Sequence, residues 1–193
     1  MIHVNKHNMK YIIGLILGII GLFILSIIII LICKKLFIAK VNENDVFISS
    51  NIYEVTIEDK LSVSDEFGKN IKEDNNHAFG YFEFDVFNNI DSNRNYEIYI
   101  TEKDNESEIN PSYVKFYLTD DHDNFLNILN STKIPVYSDL KYLEDKPSSK
   151  LLYSGSLKAN ETKKYKLRVW LSDSYVIENS NRSFIFEIGV RAV

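Results

Sequence analysis

Residues 164–171 read Lys-Tyr-Lys-Leu-Arg-Val-Trp-Leu, and apolar and polar side chains alternate strictly along them. In an extended chain, successive side chains point to opposite faces, so this stretch has one apolar face and one polar face. The apolar face is formed by Tyr165, Leu167, Val169 and Leu171. The polar face is formed by Lys164, Lys166, Arg168 and Trp170. This pattern predicts a strand of an antiparallel sheet, with one face buried and the other in water.

Similar alternation recurs along the rest of the chain. It is clearest at 81–87, 96–101, 113–119 and 184–192, and weaker at 46–57, 61–64 and 151–157. Turn-forming residues separate these stretches, and the loop 158–161 is predicted to join 151–157 to 163–171 as a hairpin. Many short strands with regular turns predict an all-β fold, an antiparallel β-sandwich of the immunoglobulin-like or jelly-roll kind.

The N-terminal part has a different pattern. Residues 11–33 contain no charged side chain, and Ser26 is the only strongly polar one. As a helix they would be about 34 Å long, enough to cross a hydrocarbon core of about 30 Å. The run is longer than the apolar region of a cleavable signal peptide, and no cleavage site of small residues follows it. The predicted organisation is a tail at 1–10, a transmembrane signal-anchor helix at 11–33, a juxtamembrane tether at 34–45 and a β-sandwich domain at 46–193.

Three glycines lie on the predicted anchor helix at the spacing that lets two membrane helices approach closely, namely Gly14, Gly18 and Gly21. They are candidates for a helix–helix contact. The alternative is that they have no such role, because glycine is common in membrane helices in general.

Charge and cysteine content exclude several classes of function. The chain of 193 residues has a net charge of −5, and because residues 1–44 carry +4, the remainder carries −9. An acidic domain argues against nucleic acid as a partner and against binding flat on anionic lipid. Cys33 is the only cysteine, so the predicted domain has no disulfide, thiolate metal site or cysteine nucleophile.

The side of the membrane is open on the sequence alone. Three lysines flank the C-terminal end of the anchor, namely Lys34, Lys35 and Lys40. By the positive-inside rule they favour a cytoplasmic domain. A short tail, an anchor and a long cysteine-free domain are instead typical of an exported protein. We predict a single-pass cell-membrane protein with an extracytoplasmic domain. The abundance of Ile, Asn, Lys and Tyr is typical of an AT-rich bacterial genome.

No residue pattern predicts catalysis. Asp120, Asp121 and Asp123 form the densest acidic cluster, which is either a hard-oxygen metal site or a solvated loop. Phe125 stands where a calcium loop of the EF-hand type would continue with Asp or Asn, and the four histidines lack metal-ligand spacing. Ser154 is not in a nucleophile elbow. We therefore predict no catalytic, cofactor-binding or metal-binding residues, and no enzymatic activity.

Several large aromatic residues fall on the predicted polar faces: Tyr81, Tyr99, Tyr113, Tyr117 and Trp170. Rows of Tyr and Trp beside Lys and Arg can form a contact surface for a partner. The alternative is that cross-strand aromatic pairs stabilise the sheet itself.

Three stretches carry a family resemblance: Ser64-Asp65-Glu66-Phe67-Gly68-Lys69, Phe82-Glu83-Phe84-Asp85-Val86, and the run from Leu167 to Tyr175. Together with the anchor, they resemble the camelysin and TasA-like group of exported, membrane-anchored β-sandwich proteins of low-GC Gram-positive bacteria. The resemblance implies a surface-exposed sandwich. The chain departs from the fibre-forming members because it lacks a cleavage site, and no catalytic residues carry over.

The leading hypothesis is a cell-surface binding, adhesion or structural module whose partner is another envelope protein, a second copy of itself or a glycan. Two alternatives stay open. One is a cytoplasmic-facing accessory subunit of a membrane complex, which follows from the lysine count. The other is a membrane-bound hydrolase, which follows only from the likeness to camelysin.

Overall fold

A computed structural model describes residues 46–48, 54–103, 107–126, 133–178 and 180–193, together with the single helical residues Ile19, Gly21 and Ser26. Apart from those three, the predicted tail, anchor and tether lie outside the described residues. Within the part of the chain that is described, no helix has the length and apolar character needed to cross a membrane. Residues Asn44–Val193 form one compact unit.

The predicted all-β class is confirmed for this unit, where strands dominate the described residues. The nine strands are β1 (Val46–Ile48), β2 (Val55–Glu58), β3 (Ser62–Val63), β4 (Phe79–Asn88), β5 (Arg94–Glu102), β6 (Val114–Asp120), β7 (Ser149–Leu157), β8 (Thr162–Ser172) and β9 (Ser183–Ala192). One short helix, α1, spans Asp65–Lys69, and 3₁₀ turns span Pro111–Tyr113 and Tyr137–Asp139. All five clearly alternating stretches of the sequence lie in strands, apart from Tyr113, which ends a 3₁₀ turn.

The strands form two sheets. The first sheet has the order β1-β4-β8-β3, with β6 on the other side of β8, and the second has the order β2-β9-β5-β7. All pairs are antiparallel except the short pair β3–β8. The predicted hairpin across 158–161 is wrong, because β7 pairs with β5 while β8 pairs with β4 and β6. The loop instead crosses between the sheets, as do the connections from β4 to β5 and from β8 to β9.

The apolar faces of both sheets meet in a common core. Phe116 of β6 packs edge-on against Phe186 of β9, with 5.2 Å between ring centroids. Leu167 and Val169 of β8 are fully buried in the same cluster, as sequence alternation predicts. This packing of two antiparallel-rich sheets is consistent with a β-sandwich.

A second, smaller core lies on the outer face of the first sheet. It contains Trp170 of β8 and the buried residues Ile71, Ala78, Phe79 and Ile134. The segment that follows β3 covers this face, and it begins with α1. The hydroxyl of Ser64 caps α1 by accepting a hydrogen bond from the amide of Phe67 at 3.3 Å. Residues Asp65–Lys69 therefore form a short helix that lies on the sheet.

Every glycine of this unit lies against an aromatic ring. Gly189 faces Tyr99 across β9 and β5, and Gly155 faces Tyr96 across β7 and β5. Gly68 of α1 lies on the indole of Trp170, and a Cβ atom there would overlap the ring. The absence of a side chain at these positions lets backbone and ring approach closely.

The register defines two ends of the unit. At the proximal end, β1 begins at Val46, the amide of Val193 donates to the carbonyl of Asn95, and the loops 89–93 and 158–161 lie together. At the opposite, distal end lie the connections between strands, in segments 59–61, 64–78, 107–113, 137–148 and 173–182.

Candidate functional site

The structure divides the five predicted contact aromatics among three places. Tyr81, Tyr117 and Trp170 share the outer face of the first sheet. Trp170 belongs to the second, smaller core, and the two tyrosines pack against that core. Tyr99 lies on the second sheet, where the ammonium of Lys146 sits 4.2 Å from its ring centroid. Tyr113 packs against Tyr175 near the distal end, with 5.3 Å between the ring centroids. They do not form one surface.

The prediction that Trp170 is an exposed contact residue is wrong, because its side chain is fully buried. Its strand face is polar at Lys164 and Lys166, but near the distal end α1 covers the face and excludes water. The other four aromatics are half-buried and engaged within the chain. Their contacts favour the alternative that they stabilise the sheets.

Arg168 is the centre of this outer face. It lies across from Tyr81 on β4 and Tyr117 on β6, and its guanidinium carbon is 5.3 and 5.9 Å from the two ring centroids. Its Nε donates to the carbonyl of Ile71 at 2.7 Å, and Nη1 donates to Thr119 Oγ1 at 3.2 Å. This buried guanidinium therefore joins the covering segment to two strands.

The same guanidinium contacts the acidic loop. Its Nη2 donates to Asp123 Oδ1 at 3.3 Å, and Lys166 Nζ donates to the same oxygen at 3.0 Å. The hydrogen bond from Lys166, together with that from Arg168, holds the pKa of the Asp123 carboxyl below its usual range. Ionised Asp123 thus adds stability above its unfolded-state pKa of about 4, and this contribution is lost as pH falls through the lower folded-state value.

Replacing Arg168 with methionine, which keeps an apolar stem, is expected to lower the free energy of unfolding by about 1–3 kcal/mol because several hydrogen bonds are lost. Urea denaturation at neutral pH measures it. Asp123→Asn is the matched control and should cost less than about 1 kcal/mol, since that side chain is 60% exposed and water screens the pair. Equal losses in the two variants would contradict the central role of Arg168.

The acidic loop is organised by its own hydrogen bonds. The carboxylate of Asp120 accepts from the amides of His122 and Asn124 and from the Asn124 side chain, at 2.9–3.0 Å. Within the described residues, Asp120, Asp121 and His122 are the one group whose ligand atoms lie close enough together to share a metal ion. The loop geometry is fully explained by turn formation, with left-handed Asp123 (φ 60°) at its corner.

Beside this loop lies a shallow polar groove made of two adjoining cavities. Asp121, Lys164 and Tyr165 line both of them. Acidic and basic groups both line the groove, with Glu83 and Asp85 among the acidic ones and Lys163 and Lys166 among the basic ones. Lys163 and Lys166 donate to the carbonyls of Ser156 and Asp121, which fixes the groove walls.

Three tyrosines lie beneath the groove, between the sheets. The hydroxyls of Tyr96 and Tyr165 are hydrogen-bonded to each other, and the ring of Tyr153 lies 6.0 Å from that of Tyr165. Burial raises the pKa of Tyr96 to about 12 and raises that of Tyr165 further. The tyrosine pair therefore stays protonated, and it acts as a neutral polar link between the sheets.

Lys150 is a buried cation that the sequence pattern missed. Its ammonium lies 4.7 and 4.5 Å from the ring centroids of Tyr137 and Tyr142 and donates to the carbonyl of Tyr137 at 3.0 Å. Burial lowers its pKa. Its partners come from the irregular stretch 137–148, which pairs with the start of β7. Nothing in the local pattern around Lys150 signals that arrangement.

Asp59 fixes the distal end. It is 2% exposed, and its Oδ2 accepts hydrogen bonds from the amides of Glu178 and Ser180 and from the Ser180 hydroxyl. The amide of Asp59 donates to the carbonyl of Arg182. The turn after β2 and the loop before β9 are thereby held together.

The distal end also exposes apolar side chains. Leu61, Phe67, Tyr142 and Val176 are 39%, 50%, 64% and 74% exposed. Among the described residues of the unit, the other large exposed apolar side chain is Val193 at the proximal end.

Of the predicted helix–helix contact, Gly14 and Gly18 lie outside the described residues, and Gly21 is helical and exposed.

No protein-family model matches the chain, and no curated protein matches it. Among solved structures, the C-terminal domain of a chitobiase from Bacteroides fragilis matches 77% of this chain and 94% of that chain, with 15% identity and a TM-score of 0.28. AvmM, which catalyses macrocyclization in alchivemycin A biosynthesis, matches 51% of this chain at 8% identity and a TM-score of 0.26. The chain spans 60% of the length of that protein. Similarities this weak indicate neither function nor site.

Proposed function

We propose that this protein is a single-pass, membrane-anchored cell-surface module that binds a partner through its distal end. The exposed apolar side chains at that end carry the proposal. Leu61, Phe67, Tyr142 and Val176 all belong to segments between strands, where side chains can change without disturbing the sheets. Exposed apolar groups with polar residues around them are typical of interaction sites.

In this proposal the unit is a β-sandwich of the exported, camelysin and TasA-like kind. The crossing connections favour a jelly-roll arrangement, because an immunoglobulin sandwich pairs several consecutive strands.

The proposed partner is another envelope protein, a second copy or a glycan, and the proposed role is adhesion or assembly without catalysis. The cytoplasmic-facing accessory subunit is the second candidate, favoured by the lysines that flank residues 11–33 on their C-terminal side. A membrane-bound hydrolase has less support. The carboxylates of Asp120 and Asp123 near the groove are already engaged in hydrogen bonds.

Protease treatment of intact cells decides the location. With an epitope tag after Val193, we expect the tag to be lost without lysis, while a cytoplasmic marker survives. Survival of the tag until lysis would refute the cell-surface location and favour the accessory subunit.

Photo-crosslinking in the same cells tests the binding surface. A photoreactive amino acid at Val176 is expected to give cross-linked products, because that exposed side chain lies at the distal end. The same amino acid at Ser92, an exposed position in a proximal loop, is the matched control and should give none. Equal products at both positions, or none at Val176, would count against the distal end as the binding surface.

A further inference from the structure

The apolar side chains of the distal end are set among carboxylates. Phe67 follows Asp65 and Glu66 in α1, Tyr142 precedes Glu144 and Asp145, and Val176 lies between Asp173 and Glu178 in the loop after β8. In the distal segments acidic residues outnumber basic ones: Asp59, Asp65, Glu66, Glu73, Asp74, Glu108, Asp139, Glu144, Asp145, Asp173 and Glu178 against Lys60, Lys69, Lys72, Lys141, Lys146 and Arg182.

Some groups of both signs are already paired within the chain. Among the basic groups, Lys60 pairs with Glu58 at 2.6 Å and Arg182 pairs with Glu178. Among the acidic groups, Asp65 pairs with Lys115, Asp139 with Lys133 at 3.8 Å and Asp145 with Arg191. Among the described residues, the carboxylates of Glu66, Glu73 and Glu144 have no ion-pair partner. The field at this end is therefore negative where the apolar side chains are exposed.

This distribution selects among possible occupants. A second copy would bring like charges together, and an anionic lipid surface would be repelled for the same reason. A protein surface that offers apolar side chains flanked by Lys and Arg is complementary in both respects.

We propose that the distal end docks a basic protein segment, whose apolar side chains contact Leu61, Phe67 and Val176 and whose lysines or arginines face the surrounding carboxylates. This inference rests on the proposed binding function and names the chemistry of the partner. Glu66 is the carboxylate best placed to receive its cations, because it adjoins Phe67 and has no ion-pair partner among the described residues.

Binding of synthetic peptides to the full chain in detergent tests the proposal. The probes are an amphipathic peptide of Leu and Lys, its counterpart of Leu and Glu, and a Ser and Lys peptide without apolar residues. We expect the Leu–Lys peptide to bind most tightly. The double variant Leu61→Ser with Val176→Ser should weaken its binding about tenfold or more, in the range of interface hot spots.

Val193→Ser is the matched control, since it removes an exposed apolar side chain at the proximal end. It should leave binding unchanged. Phe67 is left in place because its ring packs 5.7 Å from Phe79 and its loss would also affect the fold. Sedimentation velocity of the wild type and the double variant is measured in parallel, and thermal unfolding verifies that both variants are folded.

The outcomes separate the two proposals. Equal binding of the Leu–Lys and Ser–Lys peptides, or equal binding by wild type and double variant, refutes apolar docking at this end. Preference for the Leu–Glu peptide that is lost in the double variant refutes a basic partner but leaves the proposed binding function standing. Self-association that the double variant abolishes makes a second copy the occupant and overturns the inference. Absence of any peptide binding overturns it as well.

Discussion

Replacing Trp170 with alanine is expected to lower the free energy of unfolding by about 3–5 kcal/mol, the cost of emptying a large buried aromatic site. The indole is fully buried beneath α1 and contacts residues from three separate segments, including Ile71 and Ile134. Its removal leaves a cavity that the strands below cannot fill, because β8 is paired on both sides. Urea denaturation followed by circular dichroism measures the loss.

The packing of α1 on this ring gives a sharper form of the test. Gly68→Ala places a methyl group where the indole lies, so it should cost about 1–3 kcal/mol as overpacking. In the double variant with Trp170→Ala, the methyl group has space. The double variant should therefore lose less unfolding free energy than the sum of the losses in the two single variants. Lys69→Ala, an exposed neighbour in α1, is the control and should stay within about 0.5 kcal/mol of wild type. Strict additivity would mean that α1 does not rest on the indole.

The error over Trp170 shows where sequence reasoning stops for this chain. Strand alternation is a local property, and it predicted the five regular strands and their buried faces, such as Leu167 and Val169, because side-chain direction alternates within the strand itself. Whether the other face is wet depends on a segment far away in sequence. Residues 64–78 cover only the distal half of that face, so Trp170 is buried while Lys164 is exposed.

Strand pairing was equally beyond a local pattern. The loop 158–161 has the length and composition of a hairpin, yet β7 and β8 belong to different sheets. Alternation fixes which face of a strand is apolar but not which strand lies beside it, since any apolar face fits the common core. The same limit applies to the contact aromatics, because their partners Arg168, Phe125 and Lys146 come from other elements.

Some signals in the sequence did carry this information. A capping serine at 64 followed by Asp65 and Glu66 predicts a helix start. The segment that follows would otherwise be interpreted as a polar loop, but it contains the apolar residues Ile71 and Ala78. Apolar residues in a connection need a surface to cover, and the tryptophan on a basic strand face supplies one. The buried Asp59 and Lys150 have no such local signal.

Alkaline pH is expected to destabilise the unit steeply above pH 10, through the buried tyrosine pair between the sheets. The pKa of Tyr96 is raised to about 12 by burial, and that of Tyr165 is raised further by burial and by its hydrogen bond with Tyr96. Below pH 10 both hydroxyls are protonated in the folded and unfolded chains, and the full stability is present. Above pH 10 the unfolded chain loses these protons while the folded chain keeps them, so stability falls as pH rises.

Each such tyrosine contributes a slope of about 1.4 kcal/mol per pH unit until its folded-state pKa is reached. Tyr165→Phe removes one titrating group and should reduce the slope between pH 10 and 12 by about that amount. At neutral pH it should cost about 1–2 kcal/mol, because the hydroxyl of Tyr96 loses its partner. Tyr142→Phe, at an exposed distal position, is the matched control. Trp170, the single tryptophan, reports unfolding by fluorescence in all of these variants. An unchanged slope in Tyr165→Phe would show that the pair does not carry the alkaline transition, and the link between the sheets would then rest on apolar packing alone.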